Sequence, residues 1–333
     1  MKSKILAKLK NTTDYVSGQE LCQEFNVSRT AIWKIINKLR DEGYEIEAVS
    51  HKGYRIVNAP DILSQNEIES VVDNYKIVYK DEIDSTNNYA KRLAEDGEKE
   101  DMLIVSDCQT AGRGRNGRSF ASLKGKGIFM TLLKHPKLEP QKASMVTIVT
   151  AMAVREGIFN ATGLECNIKW PNDIVYDGKK VCGILTEMSA EMQNINYVVI
   201  GIGINTSNES FSEDIKDVAV SIKMTGKNTI KRSSIIEQVI KSFDKYFTEF
   251  EKTSDLEYLR EEYNKYLVNA GNKVRIVAED TDYEAIALGI DHEGRLLLNK
   301  DGKIIKIVSG EVSVRGVYGY VYRRGNCQQP YSN

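Results

Sequence analysis

The stretch QTAGRGRNGRSF, residues 109–120, sets Arg113, Arg115 and Arg118 among Gly112, Gly114 and Gly117. Guanidinium forks bind carboxylates and phosphates through paired hydrogen bonds, and closely spaced glycines let backbone amides approach the same anion. From Cys108 to Leu138 there is no acidic residue, while seven Lys and Arg side chains accumulate. In a chain of net charge −1 this is a local anion-binding chemistry. The glycines satisfy G-x-G-x-x-G, but a dinucleotide loop needs a helix straight after the third glycine. Arg118-Ser-Phe-Ala-Ser-Leu-Lys-Gly has no helical period, and no Gly-Lys-Ser/Thr offers a Walker loop. Composition also allows an arm for the DNA minor groove, and an exposed basic loop without a ligand is the plain alternative.

Three further clusters carry chemistry. In NIKWPNDIVYDGKKVCGILTE, residues 167–187, Pro171 implies an extended Trp170, Asp177-Gly178 signals a hairpin turn, and Val181 to Leu185 reads as the second strand. Lys169 and Lys180 flank that hairpin. Both ammonium groups can then face one site with Asn172 and Asp173 between them, although a single lysine in a hairpin is usually a solvated charge. INYVVIGIGINTS, residues 195–207, is an apolar strand interrupted by Gly201 and Gly203 and ending at Asn205. Glycines in such a strand mark close approach of a ligand or, equally, of another backbone. In Asp84-Ser85-Thr86-Asn87-Asn88, Ser85 or Thr86 caps a following helix, a role that needs no ligand.

The elements that must position these residues follow from pattern. At 333 residues the chain is long enough for about two or three domains. In the first sixty residues Ile5, Leu6 and Leu9 give a short amphipathic helix, Ser17-Gly-Gln-Glu20 is a capping box, and Ser28 caps a third helix with Ile32, Ile35, Ile36 and Leu39 on one face. Two helices joined by a tight turn, followed by the hairpin YEIEAVSHKGYRIV, make a winged helix-turn-helix. Residues 1–40 hold eight basic side chains against three acidic ones. The candidate DNA contacts are Ser28, Arg29, Thr30, Trp33, Lys34 and Asn37, with Lys52 in the wing turn; a solvated basic face or a protein-docking module is the bland reading.

Asn58-Ala-Pro60-Asp61 is a linker. Residues 62–268 mix helical and strand patterns, residues 272–322 read as short strands with tight turns, and residues 323–333 lack apolar content and read as a disordered tail. Five cysteines without a C-x-x-C argue against a disulfide framework and against a zinc site, so no metal ligands are assigned. The N-terminal apolar stretch is too short for a signal peptide, and no run approaches the roughly 18 apolar residues of a membrane span. The expectation is a cytoplasmic chain.

Taken in this order and spacing, Gln109-Thr-Ala-Gly-Arg113-Gly-Arg115-Asn-Gly-Arg118, Lys169-Trp-Pro-Asn-Asp173, Lys180-x-x-Gly-Ile-Leu and Gly201-Ile-Gly-Ile-Asn205 resemble the biotin protein ligase family. The resemblance covers the chain to about residue 320 and is to the bifunctional form that doubles as biotin operon repressor. It implies an α+β fold: the N-terminal winged helix-turn-helix, a central mixed α/β domain of the biotin/lipoate ligase type, and a C-terminal SH3-like small β-barrel. It also implies two steps, activation of biotin by ATP to biotinyl-5′-AMP and transfer to a lysine of a biotin carboxyl carrier domain, with Mg2+ accompanying ATP.

By the same resemblance Ser85, Thr86, Asn87, Gln109, Arg113, Gly114 and Arg115 bind biotin, and Lys180 bridges its carboxylate and the α-phosphate. Lys169 supports that charge, and Asp173 orients or deprotonates the incoming lysine. Arg118, Phe120, Asn172, Asn205, Glu311 and Arg315 serve the nucleotide. Phe120 stands where many relatives carry Trp, which keeps a stacking face and loses the indole donor. Operator DNA and a ligand-promoted homodimer complete the implied partners. A DNA-binding sensor without ligase activity, or a ligase for another acyl acid such as lipoate, are the competing readings. The paired lysines speak against the first and the arginine–glycine loop against the second.

Overall fold

A computed structural model describes residues 1–191, 194–227, 231–278, 281–308 and 313–316. The first unit comprises helices α1 (Lys2–Lys10), α2 (Gly18–Phe25) and α3 (Arg29–Asp41) and the antiparallel wing β1 (Glu45–Val49) and β2 (Gly53–Asn58). The caps form as the sequence implies: Ser17 Oγ accepts the Glu20 N–H at 3.0 Å, and Ser28 Oγ accepts that of Ala31 at 3.2 Å. Ile5, Leu6, Leu9, Leu21, Ile32, Ile36 and Leu39 close a core of their own with Tyr44 and Ile46. Arg29, Thr30, Trp33 and Lys34 point outward from α3, with Asn37 half-buried and Lys52 exposed in the wing turn.

Next come α4 (Gln65–Glu69), β3 (Lys76–Lys80), α5 (Thr86–Glu95), β4 (Met102–Ser106), β5 (Gly127–Lys134) and α6 (Ala143–Thr162). They are followed by β6 (Asn167–Lys169), β7 (Asp173–Tyr176), β8 (Lys179–Glu191), β9 (Asn194–Asn205), α7 (Arg232–Thr253) and α8 (Glu257–Tyr266). The seven strands form one mixed sheet in the order β3-β4-β5-β9-β8-β7-β6, in which β3 and β4 are parallel and every other pair is antiparallel. Alternation sorts its side chains. Ile128, Met130, Leu132, Ile200, Ile202 and Ile204 face α6 and α7 in the main core. On the other face Ile104, Leu133 and Val199 pack under Ala90 and Ala94 of α5. One short helix covers only part of that face, and the uncovered part carries the site.

The last unit is an antiparallel sheet, β10 (Lys273–Ala278), β11 (Thr281–Ile290), β12 (Leu296–Lys300), β13 (Lys303–Ile307) and β14 (Ser313–Gly316), in the order β13-β12-β11-β10-β14. The described strands form an antiparallel sheet, and no pairing among the described residues joins β13 to β14 into the expected SH3-like barrel. Val274, Ile276, Ala287, Ile290, Leu296 and Leu298 share one core with the central helices.

Trp170 opens a turn after β6, its peptide bond to Pro171 is cis, and its buried ring donates from Nε1 to the Gly294 carbonyl at 3.0 Å. That bond ties the central sheet to the C-terminal one. Among the described residues no helix is long and apolar enough to cross a membrane. Replacing Trp170 with Phe leaves the Gly294 carbonyl without this donor, and urea denaturation is expected to show a loss of about 1–3 kcal/mol; full stability would mean that the tie contributes nothing.

Candidate active site

The register of the central sheet aligns Lys80, Ser106, Phe129, Gly203, Gly183, Asp173 and Lys169 in one transverse row on the face shared with α5. The neighbouring row on that face is Val78, Ile104, Thr131, Gly201 and Leu185. Gly183, Gly201 and Gly203 therefore lie side by side and make a trough in the sheet. A Cβ on Gly201 would stand 2.3 Å from Asn87 Oδ1, and one on Gly203 2.8 Å from the Phe120 ring. The close approach that these glycines signalled is made by side chains of the same chain.

Lys180 reaches the trough through an irregularity. Ile174 pairs with Cys182 but Val175 pairs with Lys180, so Val181 is an extra residue in β8. In regular alternation Lys180 would share the face of Cys182, which is buried in the main core. The bulge turns Val181 into that core as well and delivers Lys180 to the opposite face. Its Nζ lies over Gly183, where a Cβ would meet it at 2.7 Å, and pairs with Asp173 Oδ1 at 2.7 Å. Lys169 occupies the position opposite Asp173 on β6 and does not line the cleft.

The arginine–glycine loop is folded as a narrow hairpin over this trough. Gln109 N–H donates to Ser122 O at 3.2 Å, Phe120 N–H to Gly112 O at 2.9 Å, and Gly114 N–H to Arg118 O at 2.7 Å, around a single 3-10 turn at Arg115–Gly117. No helix follows the third glycine, so the dinucleotide reading falls. Gly112 is needed because a Cβ there would sit 2.5 Å from the Phe120 carbonyl, and Gly117 because its φ is +71°. The Phe120 ring lies on Gly203 and meets Phe129 edge to face at 6.3 Å. Arg115 Nη1 donates to Asn172 Oδ1 at 2.9 Å, and Asn172 Nδ2 donates to Ile184 O at 3.0 Å. Burial lowers the Arg115 pKa, against the opposing charge of Asp173.

The far end of the trough is polar and nearly neutral. Ser85 is the N-cap residue of α5 but makes no side-chain cap bond; instead Gln109 Oε1 accepts the Thr86 N–H at 2.8 Å and the Thr86 hydroxyl at 3.1 Å. Thr131 Oγ1 lies 2.7 Å from Asn87 Oδ1, while Asn87 Nδ2 donates to Leu185 O at 3.2 Å and to Glu187 Oε2 at 2.8 Å. Lys91 holds the other Glu187 oxygen at 2.9 Å. Thr131 and Glu187 were not singled out in the sequence, although each is a polar residue inside an apolar run, TLL and ILTE, which is a usable signal.

The resulting cleft is lined by Thr86, Asn87, Gln109, Arg113, Gly114, Arg115, Phe120, Asn172 and Lys180 together with the trough glycines. Ser85 is buried and Arg118 exposed, and neither lines it. Asn205 turns its Nδ2 toward the carbonyls of Lys180 and Val220, each at 3.4 Å. Arg315 sits on β14, its side chain lies outside the described residues, and so does the whole of Glu311. Among the described residues no three His, Cys, Asp or Glu side chains cluster as metal ligands. A wider groove separates the first unit from α4 and α7 but brings no glycine trough and no paired arginines together.

Residues 79–205 match the Biotin/lipoate A/B protein ligase family, residues 2–55 an HTH domain, and residues 271–315 the Biotin protein ligase C terminal domain. Over 308 residues the chain is 39% identical to the Bifunctional ligase/repressor BirA of Bacillus spizizenii, spanning 91% of this chain and 94% of that protein. The chain belongs to the bifunctional biotin ligase/repressor family. The Escherichia coli Bifunctional ligase/repressor BirA is 30% identical across 94% of this chain and 96% of its own. The biotin protein ligase from Aquifex aeolicus in complex with biotin and ATP superposes with a TM-score of 0.63, 28% identical, over 72% of this chain and 99% of its own.

In this family member the polar end of the cleft has a pH signature. Burial pushes the Glu187 carboxyl up, but the hydrogen bonds from Lys91 and Asn87 outweigh it and hold its pKa below the ordinary glutamate value. A carboxyl held low stabilises the fold above its unfolded pKa and loses that contribution as pH falls through the folded one. Glu187→Gln is expected to be less stable than the parent near pH 7, with the gap closing below about pH 4. Urea melts of the two proteins at both pH values check this, and a gap that stays constant would remove the assignment.

Proposed function

We propose that this chain joins biotin to ATP as biotinyl-5′-AMP, passes the biotinyl group to a lysine of a biotin carboxyl carrier domain, and represses biotin genes with the adenylate as corepressor. The observation that carries the enzymatic half is the aim of Lys180 across Gly183, at the charged end of a trough whose other end is a neutral polar network. The trough takes the acyl chain and ring, with Thr86, Asn87 and Gln109 at the ring's polar edge. Phe120 leaves the glycines as the ligand enters and covers the adenine.

Bringing a carboxylate to a polyphosphate is electrostatically unfavourable, so fixed cations must neutralise the approach and the transition state. Lys180 exchanges Asp173 for the carboxylate and the α-phosphate, while Arg115, held by Asn172, closes the phosphate side with Arg113 and Arg118. The carboxylate oxygen attacks the α-phosphorus and pyrophosphate departs. In the second step the carrier lysine attacks the anhydride carbonyl, AMP leaves, and Asp173, freed from Lys180, takes the amine proton. Lys169 supports the same charge from outside the trough, and Asn205, Glu311 and Arg315 serve the nucleotide. Mg2+ would accompany ATP and offset part of the charge of its phosphates.

The regulatory half rests on the exposed outer side of α3 and the wing. In our reading two copies engage a two-fold symmetric operator. Strand β9 is enclosed between β5 and β8, so the apolar run YVVIGIGI cannot be the dimer edge, and the homodimer of this proposal uses another surface. The division at about residues 60, 268 and 322 and a cytoplasmic setting belong to the same reading.

Incubating the protein with ATP, Mg2+, a carrier domain and either biotin or lipoate, then weighing the carrier, is expected to show an adduct with biotin alone. An adduct only with lipoate, or none, would overturn the ligase reading. Lys180→Gln is expected to slow adenylate formation about 10²- to 10³-fold while melting like the parent. In gel-shift titrations, biotin with ATP is expected to strengthen binding to a palindromic site; equal binding without them would reduce the first unit to constitutive DNA binding.

A further inference from the structure

Arg232, the first residue of α7, is 3% exposed and takes no part in the cleft. Its backbone N–H and Nε donate to the Asp61 carboxylate at 2.8 and 3.0 Å, and Nη2 donates to the Asp61 carbonyl at 3.2 Å. Nη1 donates to Asp107 Oδ1 at 2.5 Å and to the Gly127 carbonyl at 3.3 Å. Asp107 Oδ1 also accepts the Gly125 N–H at 3.2 Å. Asp107 enters the arginine–glycine loop, and Gly125 and Gly127 leave it. One buried guanidinium therefore holds both roots.

The adjacent residue carries the connection further. Ser233 Oγ donates to Glu67 Oε1 at 2.6 Å, and Glu67 is 2% exposed. The same carboxylate binds Lys10 Nζ of α1 at 2.5 Å and accepts the hydroxyl of Tyr44, both in the first unit. Two consecutive residues at the start of α7 thus grip the loop on one side and the helix-turn-helix unit on the other.

We propose that Arg232 is a positioning residue for the arginine–glycine loop, and that the first turn of α7 ties the order of that loop to the seating of the DNA-binding unit through Glu67. A glycine-rich loop loses much conformational freedom when it closes, and anchoring both roots removes part of that loss beforehand. A buried guanidinium shared by two carboxylates suits this task, because its fork fixes direction as well as distance. The consequence for catalysis rests on the ligase reading above; the placement of the loop does not.

The test uses the full chain without ligand and follows tryptic cleavage after Arg113, Arg115 and Arg118 by mass spectrometry. Asp107→Asn and Arg232→Met are expected to speed cleavage there about tenfold, with Arg232→Lys intermediate and circular dichroism unchanged. With substrates, Asp107→Asn is expected to raise KM for biotin and ATP about tenfold with a smaller change in kcat. Parental cleavage in folded Asp107→Asn would overturn the positioning role, whether or not biotin is the substrate. Glu67→Gln is expected to speed the same cleavage by about threefold, and no change would overturn the tie to the DNA-binding unit. Should the variants not fold, amide exchange in the unmodified chain decides: the Gly125 N–H is expected to be protected, and free exchange would overturn the anchoring.

Discussion

One extra residue in a strand determines where the positive charge of the cleft stands. Strand β8 must bury Cys182 against the helices and also present a lysine two positions earlier to the opposite face, which strict alternation forbids. The bulge at Val181 resolves the conflict by giving the core two consecutive apolar side chains and turning Lys180 over Gly183. The glycines of the row then gain their meaning. Without side chains at 183, 201 and 203, the sheet has space for the lysine, for Asn87 and for Phe120 on one surface.

The charges around that space are held in place. Lys180 is paired with Asp173, Lys91 with Glu187, and Arg115 is held by a neutral amide, so each cation is oriented; in the proposed reaction an arriving anion would replace such a partner. A partly enclosed cleft strengthens such interactions because less water screens them. The basic stretch from 108 to 138 is thus not a diffuse positive surface. Its arginines divide between the cleft mouth, the Asn172 contact and solvent, and its acid-free composition keeps them from pairing with each other's neighbours.

The three units are joined by buried polar contacts as well as by chain. Trp170 bonds to Gly294 across to the C-terminal sheet, and Glu67 gathers donors from α1, from the residue before β1 and from α7. Buried carboxylates of this kind are costly unless fully partnered, so they favour one arrangement of the units over many loose ones. The C-terminal sheet is likewise completed by its neighbours: its apolar face is covered by the central helices, and among the described residues its edge strands remain apart.

Much of this was legible in the residues themselves. The caps at Ser17 and Ser28, the wing and the apolar β9 follow from local rules, because capping, alternation and composition act within a few residues. So does the likeness of the motifs to the family the chain belongs to. The replacement of a Ser85 cap by the Gln109 side chain and the bond from Trp170 to Gly294 were not legible, since each depends on a partner far along the chain. The sequence by itself determined which chemistry is available: two lysines, a run of arginines and a set of glycines. Tertiary structure alone decided that Lys180 and not Lys169 lines the cleft, because strand register and a single bulge, set by the packing of Val181 and Cys182 in the core, assign each side chain its face.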